Sequence, residues 1–156
     1  MADDADRAYI AGLTLLSRRE LAEAQLRTRL LKRKFDEDDI DAAVARLRKE
    51  RALDDRRTAL ACARTQVRLK NRGRARVVRQ VEALGIARDI ARDAVAEVFG
   101  EIDESALLEQ ALDRRVRHSM SLKDPKVFQR VHRYLLVQGF DPSSVTALLR
   151  RRRGGP

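Results

Sequence analysis

The stretch Leu31-Lys32-Arg33-Lys34-Phe35-Asp36-Glu37-Asp38-Asp39-Ile40 carries the organisation of the whole chain. An apolar helical stripe stops, one apolar residue (Phe35) turns inward, and a polar cap launches the next helix. The same shape returns at Tyr134-Leu135-Leu136-Val137-Gln138-Gly139-Phe140, running on to Val145. It occurs again, one residue shorter, at Leu84-Gly85-Ile86-Ala87-Arg88-Asp89-Ile90. Phe35 and Ile86 are 51 residues apart, Ile86 and Phe140 54. A three-helix unit of about 50 residues, used three times, accounts for all 156 residues. Such units stack in a row and bury faces against their neighbours. The predicted architecture is all-α: tandem three-helix repeats at 1–53, 54–101 and 102–156, forming an elongated, curved array with a long groove. The three turn residues Phe35, Ile86 and Phe140 are expected to be equivalent and buried.

Outward from these turns the apolar period stays helical. Leu26 and Leu30, then Ile40, Val44 and Leu47, then Leu60, Ala63 and Val67 each share a face. So do Val77, Val81 and Leu84; Ile90, Ala94 and Val98; Val127, Val131 and Tyr134; Val145 and Leu149. The pattern predicts helices near 5–16, 19–33, 37–51, 54–71, 74–84, 87–99, 104–120, 125–138 and 142–152. Aspartate followed by proline, at Asp124-Pro125 and Asp141-Pro142, is a helix-start signature. Ser17-Arg18-Arg19-Glu20 has capping-box spacing. Gly73, Gly85, Gly100 and Gly139 each fall where a helix should end in a left-handed residue.

Charge is the second strong signal. Lys plus Arg number 34 against 24 Asp plus Glu, a net charge of +10. From Arg56 to Val81 there is no acid but nine bases: Arg56, Arg57, Arg64, Arg68, Lys70, Arg72, Arg74, Arg76 and Arg79. Arg57, Arg64, Arg68 and Arg72 lie on one helical stripe, offset from Leu60, Ala63 and Val67. Arg114, Arg115, Arg117, Lys123, Lys126, Arg130 and Arg133 extend the charge into the third repeat, opposed within Arg114–Arg133 only by Asp124. A merely solvated face mixes its signs, as the neighbouring helices do. This one points to a polyanion or an acidic protein surface. Arg150-Arg151-Arg152-Arg153, before Gly154-Gly155-Pro156, reads as a like-charged tail that frays, available to strengthen a nucleic-acid contact or simply to solubilise.

Catalytic and metal chemistry find no purchase. The acidic cluster Asp36, Glu37, Asp38, Asp39 and Asp41, like Asp54 and Asp55, sits at a predicted helix start, where capping and the helix dipole explain it. His118 and His132 are 14 residues apart and Cys62 is remote, so no ligand cluster forms. No nucleophile has a partnered base, and no Walker or Rossmann pattern occurs. The expectation is a non-enzymatic protein without cofactor, metal or catalytic residue. A lone cysteine admits no internal disulfide and fits a reducing cytoplasm. The acidic N-terminus lacks the apolar region of a signal peptide, and no apolar run is long enough for a membrane span. Tyr9, Phe99, Phe128 and Tyr134 fall on apolar faces, so a nucleic-acid contact is expected through phosphates rather than through stacked bases.

An ordered set of short motifs then narrows the reading: Arg18-Arg19-Glu20-Leu21; Leu53-Asp54-Asp55 with Ala59; and Lys70-Asn71-Arg72-Gly73-Arg74-Ala75-Arg76-Val77 followed by Val81 and Leu84-Gly85-Ile86. Together with the length and the threefold repeat, these resemble the RecX family, regulators of the recombinase RecA. Two departures stand out. Lys34 occupies a position often glycine in the family, at a cost of about 1 kcal/mol if that position is left-handed. Thr58 replaces the aromatic usual after the Leu-Asp-Asp junction.

The resemblance implies a monomeric cytoplasmic modulator that binds the RecA–single-stranded-DNA filament, lies in its groove, and inhibits the recombinase, ATPase and coprotease activities of RecA. Contact with single-stranded DNA itself is expected to be weak and through phosphates. The RecA- and DNA-binding face is then Arg57, Arg64, Arg68, Lys70, Arg72, Arg74, Arg76, Arg79, Arg114, Arg115, Arg117, Lys126, Arg130 and Arg133. The rival readings are a sequence-indifferent or helix-turn-helix-like nucleic-acid binder that does not act on RecA, and a pure protein adaptor.

Overall fold

A computed structural model describes residues 3–117 and 120–155. Among them the chain is all-α, with nine helices: α1 (Asp4–Arg18), α2 (Glu23–Lys32), α3 (Glu37–Lys49), α4 (Asp55–Lys70), α5 (Arg74–Glu82), α6 (Arg88–Gly100), α7 (Glu104–Arg115), α8 (Pro125–Val137) and α9 (Pro142–Arg153). The chain divides into two compact bodies. One holds the described residues up to Ala61 together with Val81–Ala94. The other holds Cys62–Gln80 and the chain from Val95 onward. The middle three helices are therefore divided between the bodies.

In the first body α1 packs chiefly against α3. Its core is Leu15, Leu21, Leu26, Leu30, Ile40, Val44, Leu47 and Leu53, with Tyr9, Leu16 and Phe35 against it. These are the apolar positions that recur at helical spacing. The start of α2 departs from the capping-box expectation. Ser17 lies inside α1, its hydroxyl donating to the Thr14 carbonyl. Helix α2 begins only at Glu23, where the Gln25 side chain accepts from Ala22 N. Ala22 has no side-chain oxygen to return the bond. The Asp55 carboxylate does so from a distant part of the chain, accepting from Glu23 N at 2.8 Å. Asp54 caps α4 itself, accepting from Arg57 N at 3.0 Å. At the start of α3 the acids act through the helix dipole alone, because Asp36 makes no side-chain capping bond.

The turns after α2 and α8 share one hydrogen-bond pattern. Phe35 N donates to the Leu30 carbonyl, and Phe140 N to that of Leu135. This bond spans the last turn of the helix and closes on a left-handed residue. That residue is Lys34 (φ 65°) in the first turn and Gly139 (φ 97°) in the other. Burial is not equal across the three turn residues. Ile86 and Phe140 are buried, but Phe35 is only half-buried at the edge of its core. Of the four glycines expected to be left-handed, only Gly85 and Gly139 are. At the end of α4 the role falls to Asn71 (φ 48°). Replacing Lys34 by glycine should stabilise the protein by about 1 kcal/mol, raising the melting temperature by roughly 2–4 °C. A melting temperature that falls would contradict the strain assigned to this residue.

In the second body the buried residues of α7, α8 and α9 are Leu107, Leu108, Ala111, Leu112, Val131, Leu135, Val145, Leu148 and Leu149. Asp103, Asp124 and Asp141 cap the three helices through their side chains, the last two followed by proline as their sequence predicts. Helix α7 stops at Arg115 rather than running on to 120, with Val116 extended. The turn before α5 locks onto the turn before α9. Gly73 N donates to the Gln138 carbonyl at 2.8 Å, and Ala75 N to the Gly139 carbonyl at 3.2 Å. The two backbones are so close that a Cβ on Gly73 would lie 2.5 Å from the Gly139 carbonyl carbon. The C-terminal arginine run does not fray. It forms the last turn of α9, where cations complement the helix dipole. Arg151 pairs with Glu109, and Arg152 with Glu109 and Asp113.

Candidate partner and nucleic-acid interface

Of the fourteen arginines and lysines assigned to the basic face, all but Arg57 belong to the second body. Arg57 is engaged inside the first. Its guanidinium pairs with Glu20 at 2.7 Å and donates to the carbonyls of Arg51 at 2.9 Å and Ala52 at 3.1 Å. It thus ties the end of α3 to the α1–α2 connection, and the Glu20 bond holds its pKa above the ordinary value. Arg57→Ala should therefore destabilise the fold by about 0.5–1 kcal/mol, the range of exposed ion pairs and hydrogen bonds. A variant that melts like wild type would return Arg57 to the partner-binding set.

In the second body, some of these residues lie around the end of α4. Arg114 donates to the Leu69 carbonyl at 3.2 Å, joining α7 to α4. The Arg115 guanidinium stands 5.1 Å from the Tyr134 ring centroid. Its Nε is buried and has no hydrogen-bond partner among the described residues. Arg72 is half-buried at the α4–α5 turn and donates to Gln66 Oε1. Desolvation there, and then the neighbouring positive charge of Arg76, hold its pKa below the ordinary arginine value. Such crowding of like charge in one turn favours an incoming anion.

Several of the bases are compensated. Arg74 pairs with Glu104 and lies over Phe99, and Arg64 is 3.9 Å from Glu101. Others are not. Among the described residues, no carboxylate pairs with Arg68, Lys70 or Arg79 on the α4–α5 side. The same holds for Arg117 after α7 and for Lys126, Arg130 and Arg133 on α8, and all seven are exposed. Lys126, Arg130, Arg133 and Val137 follow a helical stripe on α8, away from buried Val131 and Leu135. Leu69 (65% exposed) and Val137 (57% exposed) place large apolar groups in the sequence runs that carry these bases. A protein partner uses such apolar groups, whereas a phosphate backbone alone does not.

Burial pushes the Cys62 thiol pKa up, which leaves less thiolate. Among the described residues no group of three or more His, Cys, Asp or Glu side chains is placed to hold a metal ion, and no helix is long and apolar enough to cross a membrane. His118, considered above as a metal ligand, lies outside the described residues.

Sequence reasoning missed one aromatic group. Phe128 and His132 stack on α8 with centroids 6.4 Å apart and planes 14° apart. The Arg153 guanidinium stands 5.4 Å from the Phe128 centroid. The available signal was their i,i+4 spacing beside Gln129 and Arg133, one step around the helix from the buried positions.

Fold and face together define a basic, all-helical repeat protein. Comparison with known proteins places it further. Residues 8–47 match the family model described as the first three-helix domain of RecX. The chain is 34% identical over 137 residues to the regulatory protein RecX of Syntrophotalea carbinolica, covering 85% of this chain and 88% of that one. It is 30% identical over 129 residues to the RecX of Haemophilus influenzae strain PittEE, covering 82% and 83% of the two chains. The crystal structure of RecX from Lactobacillus salivarius superposes with a TM-score of 0.80 over 97% of each chain, at 18% identity. The chain belongs to the RecX family of regulatory proteins.

Proposed function

We propose that the protein binds the RecA–single-stranded-DNA filament, in the filament's groove, and inhibits the recombinase, ATPase and coprotease activities of RecA. In this reading it acts without catalysis or cofactor, as a cytoplasmic monomer. The division into repeats at 1–53, 54–101 and 102–156 belongs to the same proposal, with the second and third supplying the contacts. The observation that carries it is the acid-free run of bases from Arg56 to Val81, in which Arg68, Lys70 and Arg79 are exposed with no carboxylate partner among the described residues, and Arg68 and Lys70 flank exposed Leu69. In the first body the bases of α1, α2 and α3 are mixed with acids, some of them in the pairs Arg7–Asp4, Arg27–Asp41 and Arg46–Glu50, whereas no acid falls between Arg56 and Val81. A filament offers both an acidic protein surface and phosphate, and each accepts charge-assisted hydrogen bonds from exposed arginines and lysines.

The test is RecA ATPase on single-stranded DNA with the protein titrated in. ATPase unchanged at excess protein rules the proposal out. Bare single-stranded DNA gives a second measurement. Binding should be weak, indifferent to sequence and salt-sensitive, with a log–log slope of about −0.7 per phosphate neutralised. Engagement of about five phosphates gives a slope of roughly −3.5. A flat salt response, or strong preference for one duplex sequence, would favour the protein adaptor or the helix-turn-helix reader instead.

A further inference from the structure

Helix α8 also presents a second surface, which meets the Lys126–Arg130 stripe at Arg133. Phe128, Gln129, His132, Arg133 and Leu136 line a shallow hollow of about 430 Å³.

 The α8 hollow falls within the roughly 300–1,000 Å³ of small-ligand sites. Two near-parallel rings form part of its wall, so a planar ligand laid on one is parallel to the other. Helix α9 fixes the rings from behind. Thr146 Oγ1 lies 3.1 Å from His132 Nε2, and Arg153 reaches Phe128 one helical repeat further along. At 5.4 Å, Arg153 stands well off the ring, in contrast to Arg46, which sits 3.6 Å from the Tyr9 centroid. Arg133 at the rim and Arg153 above have no carboxylate partner among the described residues, whereas Arg151 and Arg152 are held by Glu109 and Asp113.

Two near-parallel rings, with one unpaired guanidinium lining the hollow and another 5.4 Å from the Phe128 centroid, match one unit of a single-stranded polynucleotide: a base to stack and neighbouring phosphates. We propose that Phe128 and His132 form a stacking platform for a nucleobase of single-stranded DNA, with Arg133 and Arg153 taking the flanking phosphates. The platform deepens the function proposed above and rests on its contact with single-stranded DNA. It adds base contact to an interaction that charge alone would confine to phosphates. Arg153 gains a use that Arg151 and Arg152, tied down as ion pairs, do not have.

The test compares the full chain, by fluorescence anisotropy at low salt, on a labelled oligo(dT) of about twelve nucleotides and on an abasic strand of equal length and charge, a span that one such site covers. Wild type should bind oligo(dT) about tenfold or more tighter, the effect of one stacked base. Phe128→Leu, shown folded by circular dichroism, should lose that preference and keep its affinity for the abasic strand. Equal wild-type affinity for both strands overturns the platform and leaves phosphate binding standing. Binding to neither strand overturns both. A preference that persists in folded Phe128→Leu also overturns the platform. Should that variant fail to fold, photocrosslinking of wild type to an iodouracil-substituted strand decides: crosslinks at Phe128 or His132 support the platform, and crosslinks solely elsewhere overturn it.

Discussion

Gly139→Ala should lower the melting temperature by roughly 5–20 °C, the largest effect expected of any single-methyl addition to this chain. Two costs combine. The residue sits at φ 97°, where a Cβ is strained by about 1–2 kcal/mol. The new methyl would also lie 2.3 Å from Arg76 N and 2.9 Å from the Gly73 carbonyl oxygen, where only backbone could move. Overpacking of that kind costs about 1–3 kcal/mol. The Gly73–Gln138 and Ala75–Gly139 hydrogen bonds would have to lengthen as the two turns part. Gly100→Ala is the matched control, since a Cβ there meets nothing within 4 Å and the residue lies in α6. It should be neutral or slightly stabilising. Thermal melts of the two variants side by side would settle the point, and a Gly139→Ala melt matching wild type would show that the turns separate freely.

Reversing charge at Arg68 and Arg79 together should raise the concentration needed to inhibit RecA ATPase by about tenfold or more, because like charges juxtaposed at an interface cost several kcal/mol. Both side chains are exposed and unpaired among the described residues, so the fold should survive. Arg72, although on the same predicted stripe as Arg68, is a poor choice. It is half-buried, bonded to Gln66 and crowded by Arg76, and glutamate there would disturb the α4–α5 turn as well as any interface. Circular dichroism provides the folding control. Undiminished inhibition by the folded double variant would move the binding face elsewhere on the molecule while leaving the family assignment untouched.

The helices themselves were legible because helix formation is a local matter. Apolar spacing, the two Asp-Pro starts and the position of Phe140 depend on residues within a turn or two of each other, and all are found where the sequence puts them. The misplacements share a different origin. The start of α2 moved because its cap, Asp55, comes from 32 residues further along the chain. The arginine run was expected to fray because its neighbours in sequence are all positive, but Glu109 and Asp113 reach it across the body. Phe35 was expected to match Phe140 in burial, yet the first core closes around leucines and leaves it at the rim.

The basic face divides along the same line. That positive charge is concentrated between Arg56 and Arg133 follows from composition and order alone. So does the repeat of helix, inward-turning residue and polar cap. Which of those charges stay unpaired depends on contacts between residues 30 to 45 positions apart, such as Arg57 with Glu20, Arg74 with Glu104 and Arg114 with the Leu69 carbonyl. Periodicity cannot report such pairs, because it records which face a residue occupies and not what faces it. The stacked Phe128 and His132, opposite Arg153 and Thr146 of α9, became a candidate site only when the two helices were packed together.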